Sequence, residues 1–178
     1  KTVSGRDSAT GSSYDATINI NPSLGTEILS GLNLFGGAST IAKNSGANSL
    51  EEDQYQAVGG ITYDIGPVSL GWQVSGVSTG EESTEGYNAY KSHAYGVSFN
   101  VNDDLSVSYG THQSRKAGYT RAIVQTAENT RRVEVESWQI AYTMGGASFR
   151  LADSTVDNAA FTSGKQESAT TVSLGLAF

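Results

Sequence analysis

The sequence predicts an all-β fold, an antiparallel up-and-down sheet rolled into a transmembrane β-barrel, on three observations. Segments in which apolar residues alternate with small or polar ones recur along most of the 178 residues. Long polar connections alternate with short turns, and almost nothing reads as a helix. A period of two gives a strand one greasy face and one polar face, as a wall between hydrocarbon and water requires.

The end of the chain carries the pattern most clearly. Val172, Leu174, Leu176 and Phe178 share one parity, and Thr171, Ser173, Gly175 and Ala177 share the other. Only 37% of the chain is apolar and 21 residues are Gly, which is thin for a soluble core. A barrel wall needs apolar residues on only one side of each strand, so the same composition suffices there. No apolar run reaches the eighteen or so residues of a membrane-crossing helix.

The chain contains no Cys, which excludes a disulfide framework and a thiolate metal site. Its net charge of -7 argues against nucleic acid as a partner. The chain opens on Lys1 and polar residues, with no hydrophobic signal segment. It therefore reads as a single domain over 1–178 whose export signal has been removed, or as a piece of a longer polypeptide.

Residues 1–13 read as loop. Tyr14, Ala16, Ile18 and Ile20 then form a first strand, followed by a turn at Asn21-Pro22-Ser23-Leu24-Gly25. A less regular second strand carries Leu32 and Leu34 and closes at Gly36-Gly37. Residues 38–54 read as a polar excursion, with a short helical turn near Leu50. The third and fourth strands, through Ile61-Thr62-Tyr63 and Leu70-Gly71-Trp72, form a hairpin about Gly66-Pro67. An acidic connection with Glu81, Glu82 and Glu85 leads to two strands joined at Asn102-Asp103-Asp104. A basic excursion over 114–132 precedes the strand of Trp138, Ile140 and Tyr142, which turns at Gly145-Gly146 into that of Phe149 and Leu151. Val133 and Val135 have the opposite parity from Trp138, so a bulge or loop extension is expected near Glu136.

The count is about nine strands. If the long connections lie outside, the last strand descends to Phe178 at the periplasmic rim, and the first descends too. Intact bacterial barrels have an even strand number. The chain therefore reads as cut within an external loop, or as holding a tenth strand in 1–12.

Parity turns the polar residues inward, so Arg150, Lys116, Gln73, Gln139 and Asn100 are expected to line the lumen. Arg150 and Lys116 would set its electrostatic wall. The other reading of the basic set, which includes Arg115, Arg121, Arg131 and Arg132, is neutralisation of loop carboxylates or binding of lipopolysaccharide phosphates. Glu51, Glu52 and Asp53 form an acidic cluster at the rim, able to hold Ca2+ weakly, although no Ca-loop spacing supports this and a solvated loop face fits as well. No other cofactor is expected. His93 and His112 lack metal-ligand spacing, and no nucleophile elbow or phosphate loop is present, so no enzymatic activity is expected. Tyr63, Phe99, Tyr142 and Phe178 lie beside short turns, and Tyr14, Tyr55 and Tyr109 nearer the long connections, as two aromatic girdles require.

The units Gly60-Ile61-Thr62-Tyr63-Asp64-Ile65-Gly66-Pro67-Val68-Ser69-Leu70-Gly71-Trp72, Tyr95 to Gly110, Ile140 to Phe149 and Val172 to Phe178 resemble the Gram-negative outer-membrane porins, particularly the general-diffusion porins of alphaproteobacteria. The resemblance implies a carboxyl-terminal portion of a trimeric barrel of about sixteen strands, in the bacterial outer membrane, in contact with membrane lipid and lipopolysaccharide. It also implies that Phe178 is the terminal aromatic read by the barrel-assembly machinery.

The expected function is passive diffusion of small hydrophilic solutes and ions. Three alternatives stay open: a small complete barrel of about eight to ten strands with a structural or binding role, a soluble β-sandwich adhesin or lectin, and a barrel hydrolase.

Overall fold

Alternation at period two becomes nine antiparallel strands in the computed structural model, which describes residues 10–22, 29–43, 53–80, 89–117 and 131–176. The strands are β1 (Thr10–Ile20), β2 (Leu32–Lys43), β3 (Gln54–Ile65), β4 (Val68–Ser78), β5 (Ala89–Asn100), β6 (Leu105–Ala117), β7 (Arg132–Met144), β8 (Ala147–Asp157) and β9 (Gln166–Leu176). They form one sheet in sequence order, with β1 and β9 as its edges, and the sheet is not closed on itself.

The short turns follow from their residues. Gly66 has φ 56 and Pro67 follows it with φ held near about −65°, the positive-then-negative order of a two-residue hairpin turn. Gly145 opens the β7–β8 turn with φ 57. At the β5–β6 turn the side-chain oxygen of Asn102 accepts the backbone N–H groups of Asp104 at 2.9 Å and Leu105 at 2.8 Å. Asn replaces a backbone partner there.

The structure corrects the bounds of three strands and one expected bulge. β2 does not close at Gly36-Gly37 but runs on to Lys43. Gly36 is paired with Ile18 and Gly59, and Gly37 with Thr17 and Val58, so ladders on both sides hold the chain extended where local propensity would stop it. Nor does a bulge interrupt β7 near Glu136, because its register with β6 and β8 is continuous through that residue. β1 begins at Thr10 and β6 extends to Ala117, each longer than the pattern suggests. The turn near Leu50 and residues 1–9 lie outside the described residues.

Directly opposed residues of an antiparallel pair share a face, so the register sorts the sheet into two. One face carries Ile18, Ile20, Leu34, Ile61, Trp72, Tyr95, Val97, Phe99, Tyr109, Trp138, Tyr142, Phe149 and Leu174. Of the exposed large apolar side chains, all but Tyr90 and Val101 lie on it. The other face is dominated by Ser, Thr, Gly, Asn and Gln. Among the described residues nothing covers the apolar face: Val172, Leu174 and Leu176 are 63%, 64% and 64% exposed, and Ala159 is the only buried apolar residue. A sandwich would lay a second sheet over this face, and the described strands all belong to one sheet.

The apolar surface forms a band that crosses the hydrogen-bonded rows obliquely. One row runs Ile18, Gly36, Gly59, Val74, His93, Gln113, Glu134, Asp157, Gln166, apolar or Gly as far as β4 and polar beyond. In the next row, Ile20, Leu34, Ile61, Trp72, Tyr95, Thr111, Glu136, Thr155, Ser168, the change comes one strand later. Two rows further on, Ile65, Val68, Phe99, Val107, Ile140, Leu151 and Val172 are apolar throughout. The upper edge of the band, toward the long connections, is Tyr14 on β1, four residues before Ile18, and Val172 on β9, six residues after Gln166. It therefore descends ten residues over eight strand-to-strand steps. At about 3.4 Å per residue and about 4.8 Å per strand, the strands lean about 40° from the normal of the band.

Above the band the polarity of the two faces inverts. On the face that carries the band the Gln113 amide donates to Glu134 at 2.7 Å and its oxygen accepts from Arg132 at 2.7 Å. Gln166 donates to Asp157 at 2.8 Å and Thr170 to Asp153 at 2.7 Å. On the opposite face at the same level stand Tyr90, Val133, Val135 and Val156. The parity of Val133 thus needs no bulge: the register is continuous, and beyond the band it is the apolar and polar residues that exchange faces.

Candidate functional site

The candidate site is the polar face. All five residues expected to line a lumen fall on it: Gln73 on β4, Asn100 on β5, Lys116 on β6, Gln139 on β7 and Arg150 on β8. They do not form one cluster. Asn100 and Arg150 share a row, Asn100, Ser106, Ala141, Arg150, Ser173, with two strands between them. At about 4.8 Å per strand that puts their backbones about 14 Å apart. This row lies near the short turns, whereas Lys116 stands at the opposite end of the sheet, paired with Tyr90. The two cations therefore charge different ends of the face.

Asp53, from the acidic cluster, immediately precedes β3, while Glu51, Glu52 and Phe178 lie outside the described residues. Among the described residues no group of three or more His, Asp or Glu side chains is arranged to hold a metal ion.

Register assembles two rows that single strands do not reveal. Asp64, Ser69, Ser98, Ser108 and Gln139 form a polar line across β3 to β7. Beside it runs Thr62, Gly71, Gly96, Gly110, Ser137, in which three neighbouring strands present Gly. Together they line a hollow of about 560 Å³. A Cβ at Gly96 would come no nearer than 3.8 Å to Tyr109 O, so steric conflict does not require Gly at that position. What its absence provides is depth. Ser92 donates to Ser114 at 3.2 Å and Ser154 to Ser137 at 2.8 Å, so hydroxyls on this face pair across strands.

Each strand already shows its polar parity in the sequence, but the alignment of Gly71, Gly96 and Gly110 depends on turn lengths and so on register. One further feature of the polar face had no sequence signal. The β8–β9 connection folds back so that Phe161 lies against Tyr90, ring centroids 6.3 Å apart, with the Lys116 ammonium 5.0 Å from its ring centroid.

No protein-family model matches the chain, and no curated protein matches it.

Proposed function

We propose that this sheet is a section of a transmembrane β-barrel wall in a bacterial outer membrane, acting as a passive channel for small hydrophilic solutes and ions. The observation that carries the reading is the oblique apolar band. A cylinder of antiparallel strands closes only if the strands tilt about 35–45° from its axis, and a level hydrocarbon layer then meets each successive strand at a shifted residue. The descent from Tyr14 to Val172 gives about 40° without reference to any partner. A soluble sheet has no reason to shift its apolar residues steadily down successive strands.

Magnitude supports the same reading. The outward side chains are roughly half exposed, and covering each is worth about 1 kcal/mol. Over the whole face this is on the order of 20 kcal/mol, above the roughly 5–15 kcal/mol that separates most domains from unfolding. Such a face favours an apolar phase over water. Above the band, the Arg132, Gln113 and Glu134 ladder suits the headgroup and lipopolysaccharide region.

The polar face then meets water. Permeation runs down a gradient past Ser, Thr, Gln and bare Gly backbone, with Asp64 and Arg150 toward one end and Lys116 toward the other, and involves no chemical step. β1 and β9 run in the same direction, so a cylinder that is antiparallel throughout takes an odd number of further strands between them, from this polypeptide or another. The test is reconstitution into a planar bilayer in molar potassium chloride. Discrete, ohmic current steps support the channel, and folded protein that carries no current refutes it.

A further inference from the structure

Phe35 on β2 stands on the polar face, and its ring fills the space in which a side chain at Gly60, directly opposite, would stand. The ring therefore rests one face on bare backbone and turns the other away from the sheet. Among the described residues no other ring and no cation lies against it. Carboxamides surround it. Asn19 faces Phe35 from β1, Gln73 lies beyond Gly60 on β4, and Asn33 is two residues away on the same side of β2.

The ring also stands between two hollows. On one side lies that of Thr62, Gly71 and Gly96. On the other, a hollow of about 500 Å³ presents Thr17, Gly37, Gln73 and Ser75. Ser75 and Gly71 are four residues apart on β4, so the run from hollow to hollow spans about 14 Å. In the three rows that meet here, β1 to β5 carry no charged residue. The nearest carboxylates of this face on β1 and β3, Asp15 and Asp64, stand four residues from Asn19 and Gly60, again about 14 Å of backbone.

We infer that Phe35 is the stacking platform of a binding subsite for neutral oligosaccharides, with Asn19, Asn33 and Gln73 as its hydrogen-bonding rim. The inference rests on the channel reading and adds to it a solute that the wall recognises. The C–H bonds on one face of a sugar ring are weakly positive and meet the negative face of an aromatic ring. A hydroxyl both donates and accepts hydrogen bonds, and so does a carboxamide, whereas a carboxylate only accepts and an ammonium only donates. An extended ligand with hydroxyls along its length matches polar groups on both sides of the platform. A lone planar group such as a nucleobase would cover the ring and leave both hollows unmatched.

The experiment compares wild type, Phe35→Ala, Phe35→Tyr and Gln73→Ala in planar bilayers, with maltotriose as the probe and sorbitol as a polyol that has no ring to stack. Maltotriose is expected to lower wild-type current saturably, and sorbitol only in proportion to its concentration. Phe35→Ala should raise the half-blocking concentration about tenfold, Gln73→Ala about threefold, and Phe35→Tyr should keep it near wild type. Gln73→Ala leaves the ring on Gly60, so it carries the test if Phe35→Ala fails to fold. Current that maltotriose lowers no more than sorbitol does, or a saturable block that neither alanine variant weakens, overturns the inference alone. Block by adenosine at lower concentration than by maltotriose overturns the assignment to sugars. Absence of wild-type current overturns the channel itself.

Discussion

The Phe35 ring lies across Gly60, its directly opposed partner on the next strand, so closely that a Cβ at position 60 would collide with the ring edge and would come 2.6 Å from Trp72 O. Phe35 is an aromatic on the face dominated by Ser, Thr, Gly, Asn and Gln, and Gly60 is what lets it lie flat against the sheet. Gly60→Ala is expected to cost about 1–3 kcal/mol in urea unfolding from lipid vesicles. In a Phe35→Ala background the loss should be smaller but not zero, because the Trp72 carbonyl remains. Purely additive losses would mean that the ring and the missing Cβ do not share the same space.

If the apolar face meets lipid, substitutions on the two faces of one strand diverge. Val97 and Ser98 are adjacent on β5 and point to opposite faces. Val97→Arg is expected to lose about 2–4 kcal/mol of folding free energy in phosphatidylcholine vesicles, and Ser98→Arg much less. Equal losses would contradict the assignment of faces.

The hollow predicts a change in current without a change in fold. Gly96 has room for a side chain, since its nearest Cβ neighbour is Tyr109 O at 3.8 Å. Gly96→Gln should lower single-channel conductance while unfolding free energy changes by less than about 1 kcal/mol. Unchanged conductance would place the permeation path elsewhere.

Both Trp residues lie on the apolar face, and strand tilt fixes their relative depth. Along the rows, Trp138 on β7 lies one row nearer the short turns than Trp72 on β4. The descent of about 1.25 residues per strand reverses that order, leaving Trp138 about 5 Å closer to the upper interface. Brominated lipids of graded depth should therefore place Trp72 deeper than Trp138 when each is read alone. The opposite order would require untilted strands.

Much of this was legible in the sequence. The β5–β6 hairpin could be read from Asn102, whose side chain completes the turn, and the β3–β4 hairpin from Gly66-Pro67, where a positive φ precedes one fixed by a ring. Parity put Gln73, Asn100, Lys116, Gln139 and Arg150 on one face before any register was known. Gly36-Gly37 misled because Gly signals a turn locally, while the ladders to β1 and β3 that override it are invisible in one strand. Val133 and Val135 misled because the two faces exchange polarity beyond the apolar band, so an apolar residue there does not mark the same face as Trp138. The contact of Phe161 with Tyr90 joins residues 71 positions apart in the sequence through a loop of left-handed residues, and no local pattern announces it.

In a channel wall the two faces of each strand meet different solvents. The chain has no Cys, so single Cys replacements along β5 can each carry one nitroxide label. In vesicles, labels at positions 95, 97 and 99 should be relaxed mainly by dissolved oxygen, and those at 94, 96, 98 and 100 mainly by a water-soluble nickel chelate, alternating residue by residue. Equal accessibility to both reagents along the strand, or alternation with the faces exchanged, would rule out a wall between lipid and water.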